Sequence, residues 1–174
     1  NVDPRDVAIG PDGKVYIAGC CGIYRLDDGD LVPVAGDSNP PDTYVDNQPA
    51  LLAHLTNPKQ LEIAPDGSIY FVMESESYTC NCQRVFRVTP GPDSSRVVSV
   101  AGNGVRNGSS TGDGGPATAA GFRVPVSLAL GPDGSIYVGD REAYVIRRIA
   151  PNGTISTFAG TGTSGNSSET GKAD

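Results

Sequence analysis

The chain has 174 residues, a formal charge of −7, 23 Gly, 14 Pro and only 19% charged residues. Glycine and proline at that density suit many short strands joined by turns, and the 13 Lys and Arg are scattered without a basic patch, which argues against a nucleic-acid partner. No apolar run approaches the ~20 residues that a membrane helix needs.

The first element is a phrase of fourteen residues, Pro4 to Ile17, P-R-D-V-A-I-G-P-D-G-K-V-Y-I. Val7 and Ile9 alternate with polar or small neighbours, and a period of two predicts a strand with one buried face. Pro11-Asp12-Gly13 predicts a bulged hairpin turn, because proline presets φ and glycine supplies the positive φ needed to re-enter a strand. The β-branched and aromatic run Val15-Tyr16-Ile17 is the second strand. Ile23-Tyr24-Arg25-Leu26 predicts a third strand and Leu31 to Gly36 a fourth. Gly19-Cys20-Cys21-Gly22 joins the second strand to the third. The link that follows contains Pro49-Ala50-Leu51-Leu52-Ala53-His54-Leu55-Thr56-Asn57-Pro58, whose Ala and Leu predict one short helical turn.

The phrase returns as Pro58 to Phe71, with Leu61 and Ile63 in the first strand, Pro65-Asp66-Gly67 in the turn and Ile69-Tyr70-Phe71 in the second strand. A longer Glu74-to-Gln83 segment leads to Val85-Phe86-Arg87-Val88, and Val97 to Gly102 closes the unit. The next link repeats the first as P-A-x-x-A-x-[LF]-x-x-P, from Pro116 to Pro125. The third copy of the phrase, Pro125 to Val138, carries Leu128, Leu130, Pro132-Asp133-Gly134 and Ile136-Tyr137-Val138. Ile146-Arg147-Arg148-Ile149, an Asn152-Gly153 hairpin turn and Ile155 to Gly160 complete it. One supersecondary unit is therefore repeated head to tail. The expected fold is all-β, a β-propeller-like array of three four-stranded antiparallel blades, with short helical turns in the inter-blade connectors. The blades fall at about 4–36, 58–102 and 125–160, the connectors at 37–57 and 103–124, and a C-terminal tail at 161–174.

The pattern P-x-x-[VL]-x-[IL]-x-x-D-G-x-[VI]-Y-[IV], together with Ile146-Arg147-Arg148-Ile149, Phe158-Ala159-Gly160 and the connector Gly112-Asp113-Gly114-Gly115-Pro116-Ala117-Thr118-Ala119-Ala120, resembles the NHL-repeat β-propellers. The resemblance covers nearly the whole chain and is strongest in the third unit and the connector before it. It implies the propeller blade. The short Gly19-to-Gly22 link and the long Glu74-to-Gln83 segment depart from the pattern. Three blades fall short of the about four to eight that close a ring, and the chain starts and stops at matching points of its repeat. The expectation is a segment of a longer polypeptide, or a unit whose neighbouring copies complete the packing head to tail as a ring or filament.

Cys20, Cys21, Cys80 and Cys82 form two pairs, each between the second and third strands of its blade, and four cysteines allow three connectivities. Rings closed within either pair are strained, so cross-linking of the first two blades is preferred. The alternatives are free, buried thiols or a four-cysteine zinc site, and the latter lacks the usual spacing. The sequons at Asn107, Asn152 and Asn166 fall in predicted turns or links and, with the paired cysteines, point to a secreted or cell-surface glycoprotein.

No catalytic, cofactor or metal constellation stands out. His54, the one histidine, has no partner to orient it and is expected to be a surface loop residue. The acidic turn Asp27-Asp28-Gly29-Asp30 does not match calcium-loop spacing. Arg25, Arg87 and Arg148 recur at one matched position, as do Tyr16, Tyr70 and Tyr137. A residue that recurs once per blade solves a problem that recurs once per blade, so the arginines are expected to pair with Asp or with carbonyls between sheets, and the tyrosines to pack between blades. The expected function is a non-enzymatic extracellular scaffold for assembly or for protein or glycan recognition, with no cofactor. The alternative is a piece of an enzyme or small-ligand propeller whose active residues lie in other blades.

Overall fold

The computed structural model describes residues 2–36, 45–73, 83–91, 95–105 and 110–165. Cys80, Cys82, Asn107, Asn166 and the end of the tail lie outside the described residues. The first sheet runs β1 (Asp6–Ile9), β2 (Val15–Ala18), β3 (Ile23–Asp27) and β4 (Asp30–Ala35), each antiparallel to the next. The second contains β5 (Gln48–Pro49), β6 (Pro58–Ile63), β7 (Ile69–Met73), β8 (Gln83–Val88) and β9 (Arg96–Gly104), in the order β5-β9-β8-β7-β6. The third repeats the first with β10 (Pro125–Leu130), β11 (Ile136–Asp140), β12 (Val145–Ile149) and β13 (Ile155–Ala159). The leading strands β1, β6 and β10 lie side by side, and the three sheets do not close into a ring.

The Pro-Asp-Gly turns share one geometry. The amides of Gly13, Gly67 and Gly134 donate to the carbonyls of Gly10, Ala64 and Gly131 at 2.9, 2.9 and 3.0 Å. The aspartate in each turn accepts the amide two residues on, at 3.1 Å from Lys14, 2.9 Å from Ser68 and 3.0 Å from Ser135. The glycines hold φ of 75°, 84° and 81°, which a side chain would strain. Asn152-Gly153 builds the same turn between β12 and β13, with the Thr154 amide 3.0 Å from Asn152 Oδ1.

Short 3-10 turns occupy Ala50–Leu52 and Ala117–Ala119, where the connectors were expected to be helical. Each connector also bonds to the turn that enters the outer strand of the blade it leads into, the Ala50 amide to Ser95 O at 2.9 Å and the Ala117 amide to Gly153 O at 2.8 Å. In the second blade this contact lengthens into β5, so that sheet has five strands where four were expected. In the third it is an isolated bridge between Pro116 and Thr154.

Burial occurs between blades. One core combines Ile23 and Ala35 of the first blade, Ala50, Ala53 and Leu55 of the connector, and Leu61, Val88 and Val97 of the second blade. The next combines Val85 and Ala101 of the second blade, Ala117, Ala120 and Phe122 of the connector, and Leu128, Ile149 and Ile155 of the third. The repeat thus uses one set of positions to face the preceding blade and another to face the following one. The array leaves each set open once. Facing backward, Val7 is 62% exposed where its counterpart Leu61 is 5%, and Leu31 is 43% exposed where Val97 is 0%. Facing forward, Ile146 is 43% exposed where Val85 is 0%.

Candidate functional site

The matched arginines face the matched tyrosines across the middle strand pair, with Arg25 opposite Tyr16, Arg87 opposite Tyr70 and Arg148 opposite Tyr137. Two of the arginines pair with aspartate as expected, but inside their own blade and not between sheets. Arg25 donates to Asp27 Oδ2 at 2.5 and 2.9 Å, and Arg148 donates to Asp133 Oδ2 at 3.0 Å. The Arg25 hydrogen bond and then the Lys14 bond hold the Asp27 carboxyl below its ordinary range. The Ser135 amide and hydroxyl and then Arg148 do the same for Asp133. In the middle blade Asp66 is taken by the Ser68 amide and hydroxyl, and Arg87 Nε has no hydrogen-bond partner among the described residues. All three tyrosines are half-buried; Tyr16 and Tyr70 pack on the inter-blade cores, and Tyr137 meets Phe158 edge-on at 5.0 Å.

Among the described residues, the most deeply buried charged group is one the matched-arginine pattern passes over. Arg147 lies at the position of Tyr24 and Phe86 and is fully buried. Its guanidinium donates to Asp113 Oδ1 at 2.5 Å, Thr111 O at 3.2 Å, Gly121 O at 3.3 Å and the Ser110 hydroxyl. It also lies over the Phe122 ring, 5.8 Å from the centroid. Asp113 Oδ2 in turn accepts the Thr157 amide of β13 at 2.9 Å. Burial pushes the Asp113 carboxyl up, but the Thr157 bonds and the Arg147 charge outweigh it and leave the group below its usual range. Arg147 therefore ties the connector to the blade that follows it. Asp46 holds the equivalent amide in the second blade, that of Ser99, at 2.7 Å. Asp46 and Asp113 both stand three residues before the connector proline, a D-x-x-P-A signal present in the sequence and missed there.

Cys20 and Cys21 are half-buried and not joined to each other by a disulfide, their sulfurs 3.2 Å apart with the Cys21 thiol donating to Cys20. The Cys20 sulfur, then burial, pushes the Cys21 thiol up, which favours the protonated, less reactive form. The Cys20 carbonyl accepts the Asn57 amide of the next connector at 3.0 Å, which fixes this loop against the entry to the second blade. Asn152 is exposed at its hairpin tip. His54 corrects the expectation of a surface residue. It is half-buried between the fully buried Ala53 and Leu55, and its Nδ1 is enclosed with no partner among the described residues.

Where the connector meets the start of β12 and the end of β13 lies a cleft of about 310 Å³, lined by Ser110, Arg123, Ala143, Val145, Thr157, Gly160, Thr161 and Gly162. Arg123 is held there by Glu142, its Nη1 2.7 Å from the Glu142 carbonyl and its Nε 3.5 Å from the carboxylate. The Arg123 and Val124 amides both donate to the buried Asp140 carboxylate, at 2.9 and 2.7 Å. In the second blade Met73 occupies the Asp140 position, and its sulfur accepts the Thr56 amide at 3.3 Å. No helix of the described residues is long and apolar enough to cross a membrane.

Residues 95–168 match the family model described as the Teneurin NHL domain. This match bears out the NHL-type reading on the fourth strand of the second blade, the connector and the third blade. No curated protein matches the chain. Among solved structures, a protein of unknown function from Bacteroides thetaiotaomicron superposes with a TM-score of 0.62 at 17% identity, covering 89% of this chain and 35% of that one. An auxiliary nutrient binding protein from the same organism gives 0.55 at 20% identity, covering 85% and 33%. A catalytically inactive virginiamycin B lyase from Staphylococcus aureus, with quinupristin, gives 0.52 at 19% identity, covering 91% and 41%. The chain spans less than half the length of each. Likeness at this identity is likeness of fold. It nonetheless overturns the expectation of a non-enzyme, which rested on finding no catalytic constellation in the sequence, because a lyase is built on the same fold.

Proposed function

We propose that this NHL-type array is a piece of an extracellular propeller that presents its loops to a protein or glycan partner and completes its packing through its two open blade faces, head to tail. The observation that carries this reading is the exposure of Val7, Leu26 and Leu31 at positions where the second and third blades bury Leu61, Val88 and Val97, and Leu128, Ile149 and Ile155. Apolar residues laid out to face a blade, without one, favour association. The forward and backward faces differ, so a contact between copies is heterologous and closes into a ring or extends into a filament. The sequons and the two cysteine pairs support the extracellular setting. Light scattering of the purified 17.9 kDa chain is expected to give larger particles, and Val7→Glu with Leu31→Glu to return it to monomer. A folded, monodisperse monomer of the unaltered chain at micromolar concentration overturns the reading.

The fold shared with virginiamycin B lyase favours a second reading, in which the three blades belong to an enzyme or small-ligand propeller whose active residues lie on other blades. Turnover or ligand binding that appears only when further blades are joined to this chain is its test.

A further inference from the structure

The third blade keeps the acceptors of an arginine that it lacks. In the second blade Arg84, at the start of β8, donates from Nη1 to the Ser99 hydroxyl at 3.3 Å and from Nη2 to the Asn103 carbonyl at 2.9 Å. Two glycines fix the correspondence between the blades. A Cβ on Gly102 would meet the Arg84 Cα and one on Gly160 the Val145 Cα, so Val145 stands in the place of Arg84. Strand register puts Thr157, opposite Arg147, in the place of Ser99, opposite Phe86. Thr161 then takes the place of Asn103. Each lies between two glycines of positive φ, 91° and 80° around Asn103, 99° and 76° around Thr161, so the two carbonyls are turned alike. No described residue donates to the Thr161 carbonyl. The Val145 side chain ends at its methyls, and the cleft of about 310 Å³ opens where the guanidinium lies in the second blade, with Val145, Thr157 and Thr161 in its lining. The first blade has neither part. It carries Gly22 at the arginine position and Pro33 at the hydroxyl position, so the acceptors are no requirement of the blade itself.

We propose that this cleft binds an alkylguanidinium, the head of an arginine side chain carried by a partner polypeptide. The inference deepens the protein-partner reading above and rests on it only for the source of the arginine. A guanidinium presents a planar fork of donors, which reaches a hydroxyl and a carbonyl at once; an ammonium is a single point. The charged groups of the walls pair off. Arg123 directs Nη1 to the Glu142 carbonyl and Nε to the Glu142 carboxylate, and Arg147 is matched by Asp113. No unbalanced charge therefore repels an entering cation, and the neutral oxygens of Thr157 and Thr161 select it, as those of Ser99 and Asn103 hold Arg84.

The probe is Nα-acetyl-arginine N-methylamide, titrated into the full chain at low salt to about 50 mM and followed by amide chemical shifts, a range that reads millimolar dissociation constants. Saturable shifts centred on Val145, Thr157 and Thr161 are expected, with the lysine analogue at least about fivefold weaker. Val145→Arg should fill the seat from within, as Arg84 does, and abolish the shifts. Thr157→Val, at an exposed position, should weaken binding at least about threefold. Arg84→Val should open a second seat, read as new shifts at Ser99 and Asn103. No saturable shifts in the third blade, equal binding of the lysine analogue, or shifts that survive Val145→Arg in a folded chain overturn the proposal. So do shifts raised by sodium acetate in place of the probe, which would mark an anion on Arg123. Propylguanidinium binding at least about fivefold tighter than the peptide-like probe overturns the polypeptide source. Self-association by a chain that ignores the probe rejects the seat and leaves the proposed function standing. Probe binding by a chain that stays monomeric upholds the seat and rejects packing between copies.

Discussion

Removing either partner of the Arg147–Asp113 pair should cost different amounts, because the two groups left behind differ in solvation. The Arg147 side chain is 0% exposed and that of Asp113 is 50% exposed. In Arg147→Met the stranded carboxylate turns to water and keeps the Thr157 amide. The Thr111 and Gly121 carbonyls keep each other's amides, at 3.2 and 3.3 Å. No buried group is orphaned, and the expected loss is about 1–2 kcal/mol, the scale of exchanged hydrogen bonds. Asp113→Ala instead leaves a guanidinium sealed in the blade without a counter-charge and deprives Thr157 of its acceptor. Breaking a buried pair that way costs about 3–5 kcal/mol, and the neutral oxygens still around Arg147 put this case at the lower end. The double variant removes the orphaned charge and should be more stable than Asp113→Ala alone. Urea unfolding followed by circular dichroism or by tyrosine fluorescence reads all three, since the chain has 7 Tyr and no Trp. If Arg147→Met costs as much as Asp113→Ala, or the double variant is the least stable, the account of the pair is wrong.

Phe122→Ala should cost about 3–5 kcal/mol, because a fully buried ring between two blades leaves a cavity, whereas Phe158→Ala at the open forward face should cost far less in the same melts. The pH dependence should carry both signs. Asp113 is held below its ordinary range when folded, so it stabilises at neutral pH and that stability is lost as pH falls through the carboxylate range. Glu62 is pushed up by burial and then by Asp6, so its charging opposes folding at neutral pH; Glu62→Gln should stabilise there, and the gain should vanish in acid. Glycopeptide mass spectrometry of native material should find glycan on Asn152 and on at least one of Asn107 and Asn166; three bare asparagines would contradict the extracellular assignment. Non-reducing peptide mapping should recover Cys20 or Cys21 linked to Cys80 or Cys82, and finding only local pairs or four free thiols would reject the cross-link.

The blade was legible in the sequence because its determinants are local. A Pro-Asp-Gly turn needs only its own glycine at positive φ and its own aspartate on a nearby amide, and both were present each time. The connector turns were legible for the same reason, from two alanines and a leucine or phenylalanine at fixed spacing. Whatever depends on residues brought together from different repeats was not. The matched pattern singled out Arg148 and passed over Arg147 beside it, and only the docking of the connector onto β12 and β13 buries Arg147 against Asp113, 34 residues earlier. His54 looked exposed because its neighbours' burial is conferred by the blades on either side. The fifth strand of the second sheet arises from two residues that pair only once β9 is in place. Local turn chemistry and period-two alternation determined the blade; stacking of one blade on the next decided which charges are buried and which faces remain open, because that burial is a property of the gap between repeats.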